Sequence, residues 1–192
     1  MIIYGNTNSK NAMLFLHGYN QSPTDAKSKL METIHVDLLE QYSIVIFFPG
    51  RKWFSYKNET SFQHDNDELY RTRIYLHKLI ETMEKRFSKL LLSGYSQGAC
   101  TAIDAAFTYT KYQIPTLSIS GFPILQYATK GIRTLYATHG KEDSCITLKK
   151  ARKSYKSYDN IMLVLSESDH WGFWNIKPFQ LFFENFVKKH LM

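Results

Sequence analysis

Residues 90–98 read Leu90-Leu91-Leu92-Ser93-Gly94-Tyr95-Ser96-Gln97-Gly98. An apolar run suited to a buried strand ends at a serine with a glycine two positions to either side, and the ACTAIDAAFTY that follows has the composition of a helix. Strand, sharp turn and helix in that order are the setting of a nucleophile elbow, in which the turn lifts a hydroxyl clear of the sheet. The backbone at such a turn is strained, and side chains at positions 94 and 98 would obstruct it, so Gly94 and Gly98 have a steric reason to be there. The backbone N–H of Gln97 then opens the helix beside Ser96, where it can donate to an oxygen that becomes negative.

On either side of this turn, short apolar runs alternate with amphipathic stretches along the whole chain. Strands are predicted at 13–16, 44–48, 89–93, 116–120, 133–138 and 161–166, with a weaker one in the IIY near the start. Most are apolar without alternation, as strands buried on both faces are. Helices are predicted near 24–40, 65–87, 98–110, 147–158 and 178–190. In the 65–87 stretch, Leu69, Leu76, Ile80, Met83 and Phe87 make one apolar stripe, and Asp65 and Glu68 suit a helix N-terminus. This alternation implies an α/β fold of three layers, α/β/α, around a mostly parallel sheet, with reactive groups at the C-terminal ends of its strands. Residues 50–63 read as a long irregular loop, and such loops often carry function.

The 192 residues, 44% of them hydrophobic and 15% aromatic, suffice for one domain with a sizeable core spanning 1–192. The N-terminal stretch lacks the features of a secretory signal, and no segment is apolar enough to span a bilayer, so a cytoplasmic protein is expected. Cys100 and Cys145 read as packing thiols rather than as a disulfide framework or metal cluster. The net charge of +7 favours anionic partners in general. Lys149, Arg152, Lys153 and Lys156 share one helical face, which reads as solvated and leaves room for a weak association with a membrane surface. The basic residues are not interleaved with an aromatic platform, so no nucleic-acid partner is expected. The oligomeric state is not legible.

A serine hydroxyl needs a base to take its proton and an acid to orient that base. On this fold the order is serine, acid, histidine, each after a later strand. Asp143 follows the strand at 133–138, and His170 follows the strand at 161–166. Glu142 and Asp169 are rivals for the acid, but Asp169 adjoins His170 in the chain and cannot easily aim at its ring. The other histidines lie in predicted helices, in the irregular loop or before glycines, and His17 suits a turn-bracing hydrogen bond. In LFLHGYNQS, the turn after an early strand supplies the second oxyanion N–H, assigned here to Tyr19. Trp53, Phe54, Phe122 and Trp171, with Phe173, are the candidate substrate contacts and favour an apolar acyl group.

With these residues in place, the chain resembles the phospholipase/carboxylesterase branch of the α/β-hydrolases, which includes acyl-protein thioesterases, and is similar to the small FSH-type serine hydrolases. The resemblance rests on LFLHGYNQS, the Trp53-Phe54 pair, GYSQGA, SISGF, HGKED and SDH. It implies a compact hydrolase without a lid domain and with no metal or organic cofactor, acting on carboxylic esters or thioesters of small molecules or acylated proteins. Ser96, Asp143 and His170 would be catalytic, with the N–H groups of Tyr19 and Gln97 as oxyanion donors. The chain departs from the family pattern at Asp169, where glycine is usual, and at the bulky Trp171. A lysophospholipase and a non-catalytic binding module on the same scaffold are the alternatives.

Overall fold

The structure is a computed structural model that describes every residue except 1, 48–49, 59–61, 112, 125–133, 157, 159 and 192. Residues 48 and 133 of the predicted strands and 157 of a predicted helix thus lie outside the described residues, as does the side chain of Phe173.

Among the described residues, seven strands form one sheet. In chain order they are β1 (Ile2–Gly5), β2 (Asn11–Leu16), β3 (Ser43–Phe47), β6 (Lys89–Tyr95), β7 (Thr116–Ile119), β8 (Leu135–Gly140) and β9 (Ile161–Ser166), with β4 (Tyr56–Asn58) and β5 (Gln63–His64) as a separate hairpin. The spatial order is β1-β3-β2-β6-β7-β8-β9. Only β1 runs antiparallel, against β3. The sheet grows in one direction from β2 to β3, then reverses past β2 to β6. Right-handed crossovers therefore place the intervening helices on opposite faces, and the gap between β2 and β6 is the switch point where sites form.

Alternation along β2 shows how both faces are filled. Met13 and Phe15 face one core with Leu30 of α1 (Pro23–Thr33) and Phe183 of α6 (Lys177–Leu191). Ala12, Leu14 and Leu16 face the other, with Leu76 and Ile80 of α3 (Asn66–Glu84) and Ala102 and Ala105 of α4 (Gln97–Thr108). A third cluster joins Ile103 of α4 to Ala151 and Tyr155 of α5 (Leu148–Tyr155). The three-layer α/β/α expectation holds, and the apolar stripe of the long helix faces the core as its spacing requires.

Two local readings needed revision. The helix expected over 24–40 is two, α1 and α2 (Val36–Gln41), because Ile34 and His35 adopt extended backbone. The β-branched Ile34 and Val36 sit at that break and favour it. At its start, α1 is fixed by Pro23 and a reciprocal cap in which the Ser22 hydroxyl accepts from Asp25 N–H while the Asp25 carboxylate accepts from Ser22. The loop over 50–63 contains the β4–β5 hairpin and is tied to α3, since Glu68 accepts the Ser55 N–H. Asp65 caps that helix by accepting from Asp67 and Glu68 N–H. Among the described residues no helix is long and apolar enough to cross a membrane.

Candidate functional site

Ser96 stands between β6 and α4 with φ 53° and ψ −118°, a strained conformation for a residue with a Cβ. It persists because the turn is hemmed in. A Cβ on Gly94 would lie 2.4 Å from the carbonyl oxygen of Gly98, and one on Gly98 would lie 2.2 Å from that of Leu16. The glycines therefore allow α4 to start directly against β2 and β6. As the first residue of α4, Gln97 has a backbone N–H that the helix cannot satisfy, and it opens beside Ser96.

The acid and histidine loops are zipped together by backbone. Lys141 N–H donates to Ser166 O at 2.8 Å and Glu142 N–H to Ser168 O at 3.0 Å. Gly140 permits this approach, since a Cβ there would lie 2.3 Å from Ser168 O. The result brings three distant side chains into line. His170 Nδ1 is 2.6 Å from Asp143 Oδ2, and its Nε2 is 3.0 Å from Ser96 Oγ. Asp143 and His170 are both buried. An ionised carboxylate only accepts, so the proton sits on His170 Nδ1 and Nε2 is left to accept from the serine hydroxyl. Asp143 Oδ1 also accepts from Ile146 N–H at 2.7 Å. The rivals are placed elsewhere: Glu142 is exposed, and Asp169 accepts from Trp171 and Gly172 N–H, which caps the 3-10 turn Gly172–Asn175 and holds its carboxyl below the usual range. That cap explains the departure from glycine at 169.

Several supporting groups escaped sequence reasoning. Tyr95 donates its hydroxyl to His170 O at 3.0 Å and packs its ring 5.3 Å from the imidazole, bracing it from beneath. The Gln97 side chain accepts from Trp53 N–H at 3.0 Å and donates to Phe54 O at 2.8 Å, while Trp53 Nε1 donates to His17 O at 2.8 Å. Gln97 and Trp53 thus pin the 50–55 segment to the elbow. His17 meets Gly18 O through Nδ1 at 2.7 Å, the turn-bracing bond expected of it. In the same turn, Gly18 N–H donates to Gln21 Oε1 and Asn20 N–H to Arg51 O. His139 lies behind the acid, with Nε2 2.7 Å from Ile146 O and 3.4 Å from Asp143 Oδ2. An Nε2 proton is what the Ile146 carbonyl accepts.

The cleft above Ser96 is a cavity of about 200 Å³ walled by Tyr19, Tyr56, Phe62, Cys145, His170 and Trp171. Of the expected substrate contacts, Trp171 is on this wall and 55% exposed. Trp53, Phe54 and Phe122 are 5%, 1% and 7% exposed and stand behind it in the core. Their buried positions follow from the Gln97 clamp and from Phe122 N–H donating to Cys100 Sγ, bonds between segments that local sequence does not reveal. Cys145 is exposed in the cleft, whereas Cys100 is buried. The basic face of α5 is exposed, in keeping with a solvated surface.

His17 and His139 are both pushed below the ordinary imidazole value of 6.5, chiefly by burial. Below about pH 6.5 the unfolded chain takes up protons that the folded chain refuses. Stability is therefore full above that value and falls as pH drops toward the lowered folded values. Thermal melts at pH 7.5 and 5.5 should show the lower midpoint at pH 5.5, and His139→Gln should reduce the difference.

No curated protein matches the sequence. Among solved structures the chain is similar to esterase PE8, with a TM-score of 0.79 at 15% identity over all of both chains. It is also similar to acyl-protein thioesterase 2 of Zea mays, with a TM-score of 0.79 at 17% identity over 100% of this chain and 98% of that one. The carboxylesterase of Bacillus cereus gives a TM-score of 0.72 at 16% identity over 97% and 92% of the two chains. At these identities the likeness is one of fold. The family model described as phospholipase/carboxylesterase matches residues 1–170, from β1 through His170. With that match over most of its length, and an α/β-hydrolase sheet beneath it, the chain belongs to the phospholipase/carboxylesterase family.

Proposed function

We propose that the protein is a single-domain serine hydrolase that cleaves carboxylic esters or thioesters through an acyl-enzyme on Ser96. The observation that carries this reading is the pair of bonds made by one buried imidazole, 3.0 Å to the serine hydroxyl and 2.6 Å to a carboxylate. In the first half-reaction His170 Nε2 takes the Ser96 proton as Oγ attacks the acyl carbon. The oxyanion is held by the backbone N–H groups of Tyr19 and Gln97. As the bond to the leaving alcohol or thiol breaks, His170 returns the proton to it. Water then enters, gives its proton to the same nitrogen and releases the acid, with the proton passing back to Ser96. Throughout, Asp143 keeps the imidazole in one tautomer and stabilises its charged form.

The aromatic wall of Tyr19, Tyr56, Phe62 and Trp171 suits an apolar acyl or aryl group. Two free cysteines suit a reducing compartment. A fluorophosphonate probe should label the protein at Ser96 in competition with substrate, and aryl esters and thioesters of increasing acyl length should be hydrolysed with a preference for apolar chains. Lack of labelling would leave only the binding-module alternative, and a preference for lysophospholipid would favour the lysophospholipase. Trp171→Ala, which removes an exposed ring from the cleft wall, should raise KM for aryl esters about tenfold with a much smaller change in kcat.

A further inference from the structure

Cys145 sits on the cleft wall two residues beyond Asp143, in the bend between β8 and α5. The bond from Ile146 N–H to Asp143 Oδ1 closes this bend and keeps the thiol beside the acid. One ligand atom each from Asp143, Cys145 and His170 lies within 4.8 Å of the other two. A carboxylate, a thiol and an imidazole in one place are three of the four ligands that a tetrahedral zinc site needs, with zinc–ligand bonds of about 2.0–2.3 Å. Such bonds put ligand atoms about 3.3–3.6 Å apart, so the thiol must approach by about 1 Å, while Nδ1 and Oδ2, now 2.6 Å apart, must spread to admit the ion. Cys145 is exposed, and rotation of its side chain can supply the approach.

We propose that Asp143, Cys145 and His170 form a binding site for a soft divalent cation such as Zn²⁺, whose occupancy switches the hydrolytic centre off. The two anionic ligands, a thiolate and a carboxylate, offset the charge of the ion, and the fourth position is left to water. Inhibition follows from the imidazole's two contacts. The ion must take Nδ1, the nitrogen that faces Asp143, and the ring proton then sits on Nε2, so His170 loses both its hold on Asp143 and its acceptor for the Ser96 proton. Thiolate and imidazole ligands favour Zn²⁺ or Cd²⁺ over the hard cations Mg²⁺ and Ca²⁺. The loss of activity rests on the proposed role of His170; the binding of metal does not.

The test uses the full chain and two readouts. Cd²⁺ is titrated into wild type, Ser96→Ala and Cys145→Ser while the ultraviolet thiolate-to-metal charge-transfer absorption is followed. Separately, Zn²⁺ is titrated into ester hydrolysis by wild type and Cys145→Ser, each measured against its own metal-free rate, with a chelator added at the end. The charge-transfer signal should appear in wild type and in Ser96→Ala. In Cys145→Ser the charge-transfer signal should be lost, although the buried Cys100 remains, and the inhibition should need at least about tenfold more metal. Chelation should restore the rate, and Mg²⁺ should have no effect. Equal sensitivity of Cys145→Ser, or no charge-transfer signal in wild type, overturns the proposal. Should the protein prove not to hydrolyse esters at all, the signal in Ser96→Ala still decides whether the site exists.

Discussion

Ser96→Ala should lower kcat for ester hydrolysis by about four to six orders of magnitude while leaving the fold intact. The size of the effect follows from the arrangement around one imidazole. Without the hydroxyl, His170 has a proton acceptor with nothing to activate except water, and only the oxyanion donors and the binding of substrate continue to help. The Cβ is retained in alanine, so the strained backbone at φ 53° is unchanged and the thermal midpoint should match wild type. Ser96→Gly is the informative companion. Glycine adopts that conformation without penalty, and relief of strain at one such position is about 1–3 kcal/mol, set against about 0.5–1 kcal/mol of extra entropy lost on folding. Ser96→Gly should therefore be equally inactive but melt at the same temperature as Ser96→Ala or slightly above it. A residual rate in Ser96→Ala within tenfold of wild type, in protein free of contaminating esterase, would remove Ser96 from the mechanism.

Among the described glycines, Gly98→Ala should be the most damaging added methyl group. A Cβ at 98 would lie 2.2 Å from Leu16 O and 2.3 Å from His17 O. Both are backbone atoms, so no side-chain rotation makes room. Either α4 is pushed away from the end of β2 or the elbow opens. Overpacking in a rigid interior costs about 1–3 kcal/mol and more when backbone must move, so a loss of about 3 kcal/mol or more is expected. For a chain of this length that corresponds to a drop in Tm of about 6–12 °C. Activity should suffer further, because the same displacement shifts Ser96 and the Gln97 N–H relative to His170, and a 1 Å misplacement can cost about a hundredfold. The two readouts separate the causes. A variant that melts near wild type yet is inactive would show that α4 can move as a unit. One that is active and stable would mean that the contact between α4 and β2 is looser than the distances state.

Much of this was legible before any coordinates. The strands of the sheet are apolar on both faces, so Leu90 to Leu92 or Leu14 to Leu16 could hardly be anything else in a chain of alternating elements. Gly94 and Gly98 announced a steric need, and the order of Ser96, Asp143 and His170, each after a later strand, pointed to one edge. Less was legible where contacts between segments decide. Trp53 and Phe54, expected to meet substrate, are drawn inward by the Gln97 side chain. Tyr56 and Phe62 line the cleft instead. The break at Ile34 and His35 divides what reads as one helix.

The layers, the elbow and the chain order of serine, acid and histidine were already written in the amino-acid sequence, because buried periodicity and glycine sterics are local and act wherever the chain goes. Which aromatics face the cleft, what Asp169 caps, how Tyr95 braces the imidazole, and the approach of Cys145 to Asp143 and His170 emerged only from contacts between distant segments. Those outcomes depend on where irregular loops come to rest after the sheet has formed, and a loop's side chains point wherever its hydrogen bonds to other segments turn them.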